Sequence, residues 1–199
     1  MKQYIIITFF IAICAYFVLD RTIAEWSVHY CVGGCNDFFV AVTQLGISTP
    51  YLIGSALLFF YFHYIKKNLY KSHHALFLFA VVAISGIITG IIKVIAGRVR
   101  PCMLFEKVLY GFDFFHRNSD MNSFPSGHTT TAFALAMYIS LYWPRWAVIG
   151  WIIAIAVGVS RVLLTKHYLS DVLVGALVGV ITVSILCIYW PKKWRLNSA

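Results

Sequence analysis

The sequence predicts an all-α, polytopic membrane protein in which six transmembrane helices form one bundle. Hydrophobic residues make up 61% of the chain and charged residues only 12%, whereas a soluble domain carries about 25% charged residues. The mean hydropathy is +0.81, and uncharged runs long enough to cross a bilayer recur along the chain. The 199 residues have room for one compact unit, so we predict a single membrane-embedded domain over residues 1–199.

Six apolar runs are each long enough to span the hydrocarbon as a helix, which takes about 17–25 residues. Prolines mark several boundaries: Pro50 falls in the expected first turn of the second helix, Pro144 follows the fourth span, and Pro191 ends the sixth. Arg161 makes the fifth run less clean than the others. The predicted spans are residues 4–19, 49–66, 75–97, 125–143, 146–164 and 171–191.

The first run has an alternative interpretation as a signal peptide, because Lys2 gives it a positive start. Its apolar stretch is longer than the core of an ordinary signal peptide, and no clear small-x-small cleavage site follows it. We therefore predict that this run is retained as the first span.

Lysine and arginine in the short loops orient the predicted bundle. Those at the termini and in two of the loops fall on one side, which the positive-inside rule makes cytoplasmic. We therefore predict an integral inner (plasma) membrane protein with both termini in the cytoplasm. The residues that set this orientation are Lys2, Lys66, Lys67, Lys71, Arg145, Lys192, Lys193 and Arg195. The stretches predicted on the periplasmic or extracellular face are 20–48, 98–124 and 165–170.

Basic residues also occur on the predicted outer face, against the usual bias. Arg98 and Arg100 have no acidic residue near them in the sequence, which suggests a bound anion. The net charge of +9 suits an anionic lipid surface. This charge is spread too thinly between the spans to indicate nucleic-acid binding.

The cysteines leave one question open. Cys31 and Cys35 bracket Val-Gly-Gly on the predicted outer side, where the alternatives are a loop disulfide in an oxidising compartment and two free thiols. No further ligands stand at the spacing of a zinc site.

The stretch KVIAGRVRP, residues 93–101, ends the third span with basic residues. Lys93 and Arg100 are seven residues apart, or two helical turns, so one helix face can carry both. Pro101 would end that helix. The alternative is that Lys93 only extends from the helix end to the membrane interface.

The stretch PSGH, residues 125–128, begins the fourth span. Proline fits the first helical turn because its missing N–H is not needed there. The N–H groups of Ser126, Gly127 and His128 then lack intrahelical partners, and free amides at a helix N-terminus bind anions. Gly127 lets the anion approach the backbone, with His128 beside it as a proton donor. The alternative is an ordinary helix cap with an interfacial histidine.

The stretch SRVLLTKHYLSD, residues 160–171, carries a second histidine. His167 and Asp171 are four residues apart, which is one turn if the backbone is helical. A carboxylate there can accept a hydrogen bond from one ring nitrogen and leave the other free to attack, as in a hydrolase triad. The alternative is that Asp171 or Ser170 only caps the sixth helix, which leaves His167 and Arg161 unexplained.

Taken together, the three stretches indicate a phosphate site at one membrane face. Charged groups near membrane depth are costly and usually mark function, and cations beside a helix N-terminus suit a phosphate. Two histidines in different settings suit the two halves of a displacement, nucleophile and acid. No cluster of carboxylates is available to hold magnesium, so we predict no metal and no other cofactor.

The same stretches fit the pattern K-x6-R-P, P-S-G-H and S-R-x5-H-x3-D at every position. The matching residues are Lys93, Arg100, Pro101, Pro125, Ser126, Gly127, His128, Ser160, Arg161, His167 and Asp171. In this joint pattern the chain resembles the type 2 phosphatidic acid phosphatase superfamily, whose members are membrane-bound lipid phosphatases. The motifs lie within residues 93–171, and residues 1–92 carry no matching motif.

The resemblance implies roles for most of the matched residues and no need for a metal. His167 attacks phosphorus and forms a phosphohistidine, Asp171 orients His167 and stabilises its positive form, and His128 protonates the leaving oxygen. The residues expected to hold the non-bridging oxygens are Lys93, Arg100, Ser126, Gly127 and Arg161. The residues expected to pack behind these groups and hold them in position, without touching the phosphate, are Ser160 and Pro125.

The resemblance also implies a lipid phosphate substrate whose chains stay in the membrane. The first hypothesis is hydrolysis of a phosphate mono- or pyrophosphate ester of an envelope lipid, with undecaprenyl pyrophosphate, phosphatidylglycerophosphate, phosphatidic acid and lipid A phosphates all open. The second is a lipid phosphotransferase that uses the same site. The third is a small anion permease, which leaves the pairing of His167 with Asp171 without a role. The sequence does not set the oligomeric state.

Removal of metal ions is expected to leave the activity of the purified protein intact, because the sequence offers no carboxylate cluster for magnesium. Phosphate release from a lipid phosphate, measured with and without EDTA, tests this expectation. Activity that is lost on chelation and restored by magnesium would contradict it.

Overall fold

Helices dominate the described part of the chain, which covers residues 2–31, 36–115 and 119–191 in this computed structural model. No strand occurs in those ranges, and one isolated antiparallel bridge joins Arg98 to Phe112. The predicted all-α class is therefore confirmed. The α-helices of the described residues are α1 (Lys2–Val18), α2 (Asp20–Cys31), α3 (Asn36–Gln44), α4 (Ser48–Phe60), α5 (Leu69–Ala96), α6 (Pro101–Lys107), α7 (Gly127–Tyr142), α8 (Ala147–Leu163) and α9 (Leu169–Tyr189).

Several of these helices are long and apolar enough to cross a membrane, which supports the predicted polytopic class. Within the described residues the candidate spans are Asp37–Ile65, Leu69–Ala96, Pro144–Leu163 and Leu169–Tyr189. A fifth candidate is the bent pair Gln3–Val18 and Asp20–His29, whose axes differ by 64°.

The predicted fourth span, 125–143, differs from its expected length. It is realised as α7, which has 16 residues and is about 24 Å long at the rise of an α-helix. This falls short of a hydrocarbon core of about 30 Å. Both missing ends have local causes, since the chain before Gly127 and the turn Pro144–Trp146 leave the α-helical path.

The helix α7 is the centre of the bundle and packs against α5, α8 and α9. On one side, buried side chains of α5, α7 and α9 form a core cluster of Phe77, Val81, Ala134, Tyr138 and Val183. On the other side, α7 meets α8 through a cluster of Ala132, Ala136, Ala154 and Val157. Small residues at these interfaces let helix backbones approach closely, as in other membrane bundles.

Two glycines of α9 bring this helix into backbone contact with the start of α7. A Cβ atom at Gly175 would lie 2.6 Å from the carbonyl oxygen of Ser126, and one at Gly179 would lie 2.5 Å from that of Thr130. No real Cβ tolerates such distances to backbone. The start of α7 therefore lies against the second and third turns of α9, and both helices carry residues from the motifs.

The long connection between α5 and α7 folds back over the end of α5. Gly97 ends α5 in the left-handed conformation, with φ of 55°, which suits glycine because it has no Cβ. The N–H of Asp113 returns to the carbonyl of Gly97 at 2.9 Å, and the N–H of Ser123 to that of Arg98 at 3.0 Å. The segment just before α7 is thus attached to the end of α5.

The helix α1 packs along α9 and bends sharply into α2. Asp20 is the first residue after the bend and its side chain is fully buried. The bend therefore places the carboxylate of Asp20, from the N-terminal part of the chain, at the start of α9.

Replacement of Gly179 by alanine is expected to destabilise the fold by about 1–3 kcal/mol, because the new methyl group must push α9 away from the backbone of α7. Thermal unfolding of the detergent-purified variant measures this loss. Gly54→Ala is the matched control, since a Cβ at Gly54 meets no atom within 4 Å. A Gly179→Ala protein as stable as the Gly54→Ala protein would contradict the close contact.

Candidate active site

His167 is buried in the turn that joins α8 to α9, with 4% of its side chain exposed. The backbone N–H groups of Lys166 and His167 both donate to the carbonyl oxygen of Arg161, at 3.1 and 3.2 Å. The turn therefore folds back over the end of α8. This geometry keeps His167 beside Arg161, although six residues separate them in the sequence.

The hydrogen bond to Nδ1 assigns the proton of the His167 ring. Nδ1 lies 2.6 Å from the backbone carbonyl oxygen of Ser123. A carbonyl oxygen can only accept, so Nδ1 carries the proton and Nε2 holds a free lone pair. Asp171 Oδ2 lies 3.6 Å from Nδ1, which is too long for a direct hydrogen bond but close enough to favour a positive ring.

The protonation state of His167 follows from its burial. Burial lowers the pKa of the imidazole to about 3, Asp171 opposes part of that shift, and the charges of Lys93 and Arg161 add to it. The ring is therefore neutral at physiological pH. A neutral imidazole with Nδ1 protonated is the form in which Nε2 is a nucleophile.

The carboxylate of Asp171 is fully buried and receives donors from three parts of the chain. Its Oδ2 accepts hydrogen bonds from the hydroxyl of Ser123 at 2.5 Å and from the backbone N–H of Tyr168 at 2.9 Å. Its Oδ1 pairs with the guanidinium group of Arg98. These donors suit a negatively charged carboxylate and hold it beside the ring of His167.

The expected anion-binding role of Arg98 is wrong. Its side chain is fully buried, Nη2 lies 2.7 Å from Asp20 Oδ2, and Nη1 pairs with Asp171. Asp20 and Asp171 are 78 and 73 residues away in sequence, so the residues next to Arg98 in the sequence do not indicate either partner. Burial opposes the charged form, but the charges of Asp171 and Asp20 outweigh it and raise the pKa of Arg98 above its ordinary value.

The start of α7 differs from the prediction in two ways. Pro125 is not in the first helical turn, because α7 begins at Gly127 with Ser126 as its N-cap. The N–H of the fully buried Ser126 is not free, since it donates to the backbone carbonyl of Asp171 at 3.0 Å. The amides of Gly127 and His128 lie in the first turn, where the helix supplies no acceptor. The expected set of three free amides is thus reduced to two.

The predicted cations Lys93, Arg100 and Arg161 converge near the start of α7. The charges of all three act on the ring of His128, and those of Lys93 and Arg161 also act on His167. Three stretches that are far apart in the sequence therefore meet, and the two histidines lie in one positive field.

Two of these cations are also attached to neighbouring segments. Lys93 Nζ donates to the backbone carbonyl of Asn122 at 2.6 Å. Arg161 Nη1 donates to the hydroxyl of Thr43, in α3, at 3.0 Å. Arg161 Nε is buried and has no hydrogen-bond partner among the described residues. A buried guanidinium N–H without a partner is a donor suited to an anion.

A cavity of about 290 Å³ lies beside these residues and is lined by His128, Lys93 and Gly127, among others. A larger cavity of about 400 Å³ is lined by Tyr138 and Tyr142, near the other end of α7, and by none of the motif residues. The smaller cavity is the candidate substrate site, because a histidine, a cation and a helix N-terminus meet there.

Some predicted residues have other roles, and some functional candidates were missed. Ser160 donates its hydroxyl to the carbonyl of Val157 at 2.7 Å, within α8 itself. Ser123, Asp20 and Thr43 were not predicted; only Ser123 stands next to a motif, two residues before Pro125.

Two further expectations concern cysteines and metals. The pairing of Cys31 with Cys35 falls outside the described side chains. Over residues 2–31, 36–115 and 119–191, no three His, Cys, Asp or Glu side chains are grouped so as to hold a metal ion.

Comparison with known proteins gives one family and several relatives. The model of the PAP2 superfamily matches residues 74–195, which is more than half of the chain. Lipid A 1-phosphatase of Rhizobium etli is 36% identical over 113 residues, covering 57% of this chain and 49% of that protein. Lipid phosphate phosphatase 2 of Arabidopsis thaliana is 31% identical over 194 residues, covering 78% of this chain and 64% of that protein. The chain thus spans about half the length of the Rhizobium relative.

Two solved structures share the fold. The PAP2-type phosphatidylglycerolphosphate phosphatase of Bacillus subtilis superimposes with a TM-score of 0.65 at 23% identity, covering 96% of this chain and 97% of that chain. LpxE of Aquifex aeolicus gives a TM-score of 0.63 at 24% identity, covering 84% of this chain and 94% of that chain. The 96% coverage of the first similarity includes parts of each of α1 to α4, where the sequence carries no recognisable motif.

Stability is expected to fall as the pH drops from about 6.5 towards 3. An imidazole in the unfolded chain titrates near 6.5, whereas burial lowers the pKa of His167 to about 3. Between these values the unfolded state binds a proton that the folded state does not, which favours unfolding. Thermal unfolding in detergent across this window should therefore show a steeper loss in the wild type than in His167→Asn. Equal slopes would contradict the buried, neutral ring.

Proposed function

The chain belongs to the PAP2 superfamily, and from that premise we propose that it is a membrane lipid phosphatase. It hydrolyses a phosphate mono- or pyrophosphate ester of an envelope lipid through a phosphohistidine intermediate. The observation that carries this proposal is the state of His167. The ring is buried and neutral, its Nδ1 proton is committed to Ser123, and its Nε2 lies in the field of Lys93 and Arg161.

In the first step, the lone pair of His167 Nε2 attacks phosphorus, and the bond from phosphorus to the lipid oxygen breaks. His128 gives its proton to that oxygen, so a lipid alcohol leaves, or a lipid monophosphate when the substrate is a pyrophosphate. The negative charge of the bound phosphate offsets the nearby cations and lets His128 hold that proton. The phosphorylated ring keeps its Nδ1 proton and is positively charged, and Asp171, 3.6 Å away, stabilises it.

In the second step, water attacks the phosphoryl group and His128 accepts a proton from the water. The bond between phosphorus and Nε2 breaks, and its electron pair returns to His167. Inorganic phosphate leaves, and both histidines regain their starting states. His128 thus acts first as an acid and then as a base.

The phosphate oxygens are held by the groups that converge at the start of α7. Lys93, Arg100 and Arg161 supply positive charge, and the unpartnered Nε of Arg161 supplies a directed donor. The amides of Gly127 and His128 complete the site as donors at a helix N-terminus. Fixed donors of this kind stabilise the charge that develops on the oxygens in the transition state.

In the proposed topology, α7 serves as the fourth of six spans. It is surrounded by α5, α8 and α9, so a length of 16 residues is sufficient where neighbours shield its ends from lipid. The motif residues lie at the end of α5 and the start of α7. The exposed basic residue Lys71 lies in the first turn of α5, and the exposed Arg145 lies in the turn that follows α7, so both are at the opposite ends of these helices. The positive-inside rule then puts the active site on the periplasmic or extracellular face.

The proposal is tested by phosphate release from detergent-purified protein and its His167→Ala variant. The substrates are undecaprenyl pyrophosphate, phosphatidylglycerophosphate, phosphatidic acid and a lipid A phosphate. We expect release from at least one of them, and a loss on the order of 1,000-fold or more in the variant, because the nucleophile is removed.

His29→Ala is the matched control, since His29 also has a carboxylate four residues away, at Glu25. This variant should keep wild-type activity. Near-normal turnover by His167→Ala would overturn the nucleophile assignment. Transfer of phosphate to an added lipid alcohol, in place of its release, would identify the site as that of a phosphotransferase.

A further inference from the structure

Two buried carboxylates share the guanidinium group of Arg98. Nη1 pairs with Asp171, and Nη2 lies 2.7 Å from Asp20 Oδ2, with all three side chains fully buried. The hydroxyl of Ser170 joins the group, since it accepts from Arg98 Nη1 at 2.6 Å and donates to Asp20 Oδ2 at 2.5 Å. The carboxylate beside His167 is therefore one end of a longer buried network.

Asp20 reaches this network from a distant part of the chain. It stands at the bend between α1 and α2, outside residues 74–195, which match the family model. Its Oδ1 also accepts the backbone N–H of Ser170 at 3.0 Å, in the first turn of α9. There a carboxylate satisfies an amide that has no intrahelical acceptor and interacts favourably with the helix dipole.

The charges of the network do not cancel while His167 is neutral. Two carboxylates against one guanidinium leave an excess of one negative charge in a buried site. When His167 becomes positive on phosphorylation, that excess is neutralised. Without Asp20, the charge of Asp171 would be balanced by Arg98 alone, and less of it would act on the positive ring.

We propose that Asp20 is a positioning residue that occupies one half of the Arg98 guanidinium and so leaves the charge of Asp171 available to the phosphorylated His167 ring. This inference rests on the proposed phosphatase function. Asp20 acts through Arg98 and touches neither the substrate nor His167. Removal of the Asp20 carboxylate should therefore destabilise phosphorylated His167 more than it weakens substrate binding.

The test compares Asp20→Asn with Glu25→Gln, which removes one negative charge from an exposed position on the same helix. Asparagine keeps the size of Asp20 and an acceptor for the Ser170 amide, but it cannot balance Arg98. We expect kcat to fall about tenfold or more with KM within about twofold, which marks a loss confined to the transition state. Glu25→Gln should keep both constants, and Asp20→Glu should recover part of kcat.

Inhibition by two anions separates positioning from a general structural role. Orthovanadate accepts a fifth ligand from the attacking nitrogen and resembles the transferring phosphoryl group, whereas inorganic phosphate occupies only the ground-state site. We expect Asp20→Asn to weaken vanadate inhibition about tenfold and phosphate inhibition by less than about twofold. Equal losses for both anions would overturn the proposal in favour of a structural role. Wild-type kcat in Asp20→Asn would overturn it outright.

Ser170→Ala provides a second test should Asp20→Asn fail to fold, because it removes the hydroxyl that bridges Asp20 and Arg98 and leaves their direct ion pair in place. The variant should weaken inhibition by vanadate about threefold more than inhibition by phosphate. Equal losses of inhibition for the two anions would overturn the proposal. A wild-type protein that releases no phosphate from any lipid would overturn the proposed function and this inference together. An active wild type with unaffected variants would overturn only the inference.

Discussion

The site depends above all on the burial of the Asp171 carboxylate and on the donors that surround it. Arg98 and Ser123 come from the connection between α5 and α7, and Tyr168 from the turn before α9. The backbone carbonyl of Asp171 also accepts a hydrogen bond from the N–H of Ser126. One residue thus joins the three segments that carry the motifs, and it sets where His167 stands relative to the start of α7.

The number of these donors follows from the cost of a charge inside an apolar bundle. A buried carboxylate is tolerated only if its oxygens are paired and hydrogen-bonded, since the desolvation penalty is several kcal/mol per ion. Arg98 meets that need but introduces a second buried charge, and Asp20 balances Arg98 in turn. The network extends from the site to the bend after α1, because Arg98 pairs with both carboxylates.

Close helix contact gives these pairs their fixed geometry. Gly175 and Gly179 let α9 touch the backbone of α7, and the N–H of Ser126, the N-cap of α7, donates to the carbonyl of Asp171 in the first turn of α9. The start of α7, which carries His128, is thereby held beside Asp171. The same contact explains why the amide of Ser126 is used internally and not for an anion.

The all-helical membrane class and the motif residues could be read from the sequence, because runs of apolar residues and short fixed spacings are local properties. Lys93, Arg100, His128, Arg161 and His167 were all predicted, and they do converge. The partners of these residues depended on the fold. The carbonyl of Ser123 orients His167, and Asp20 neutralises Arg98, through contacts that span 44 and 78 residues. Spacing in sequence carries no information about such pairs, since they form only when packed helices bring distant backbone and charge together.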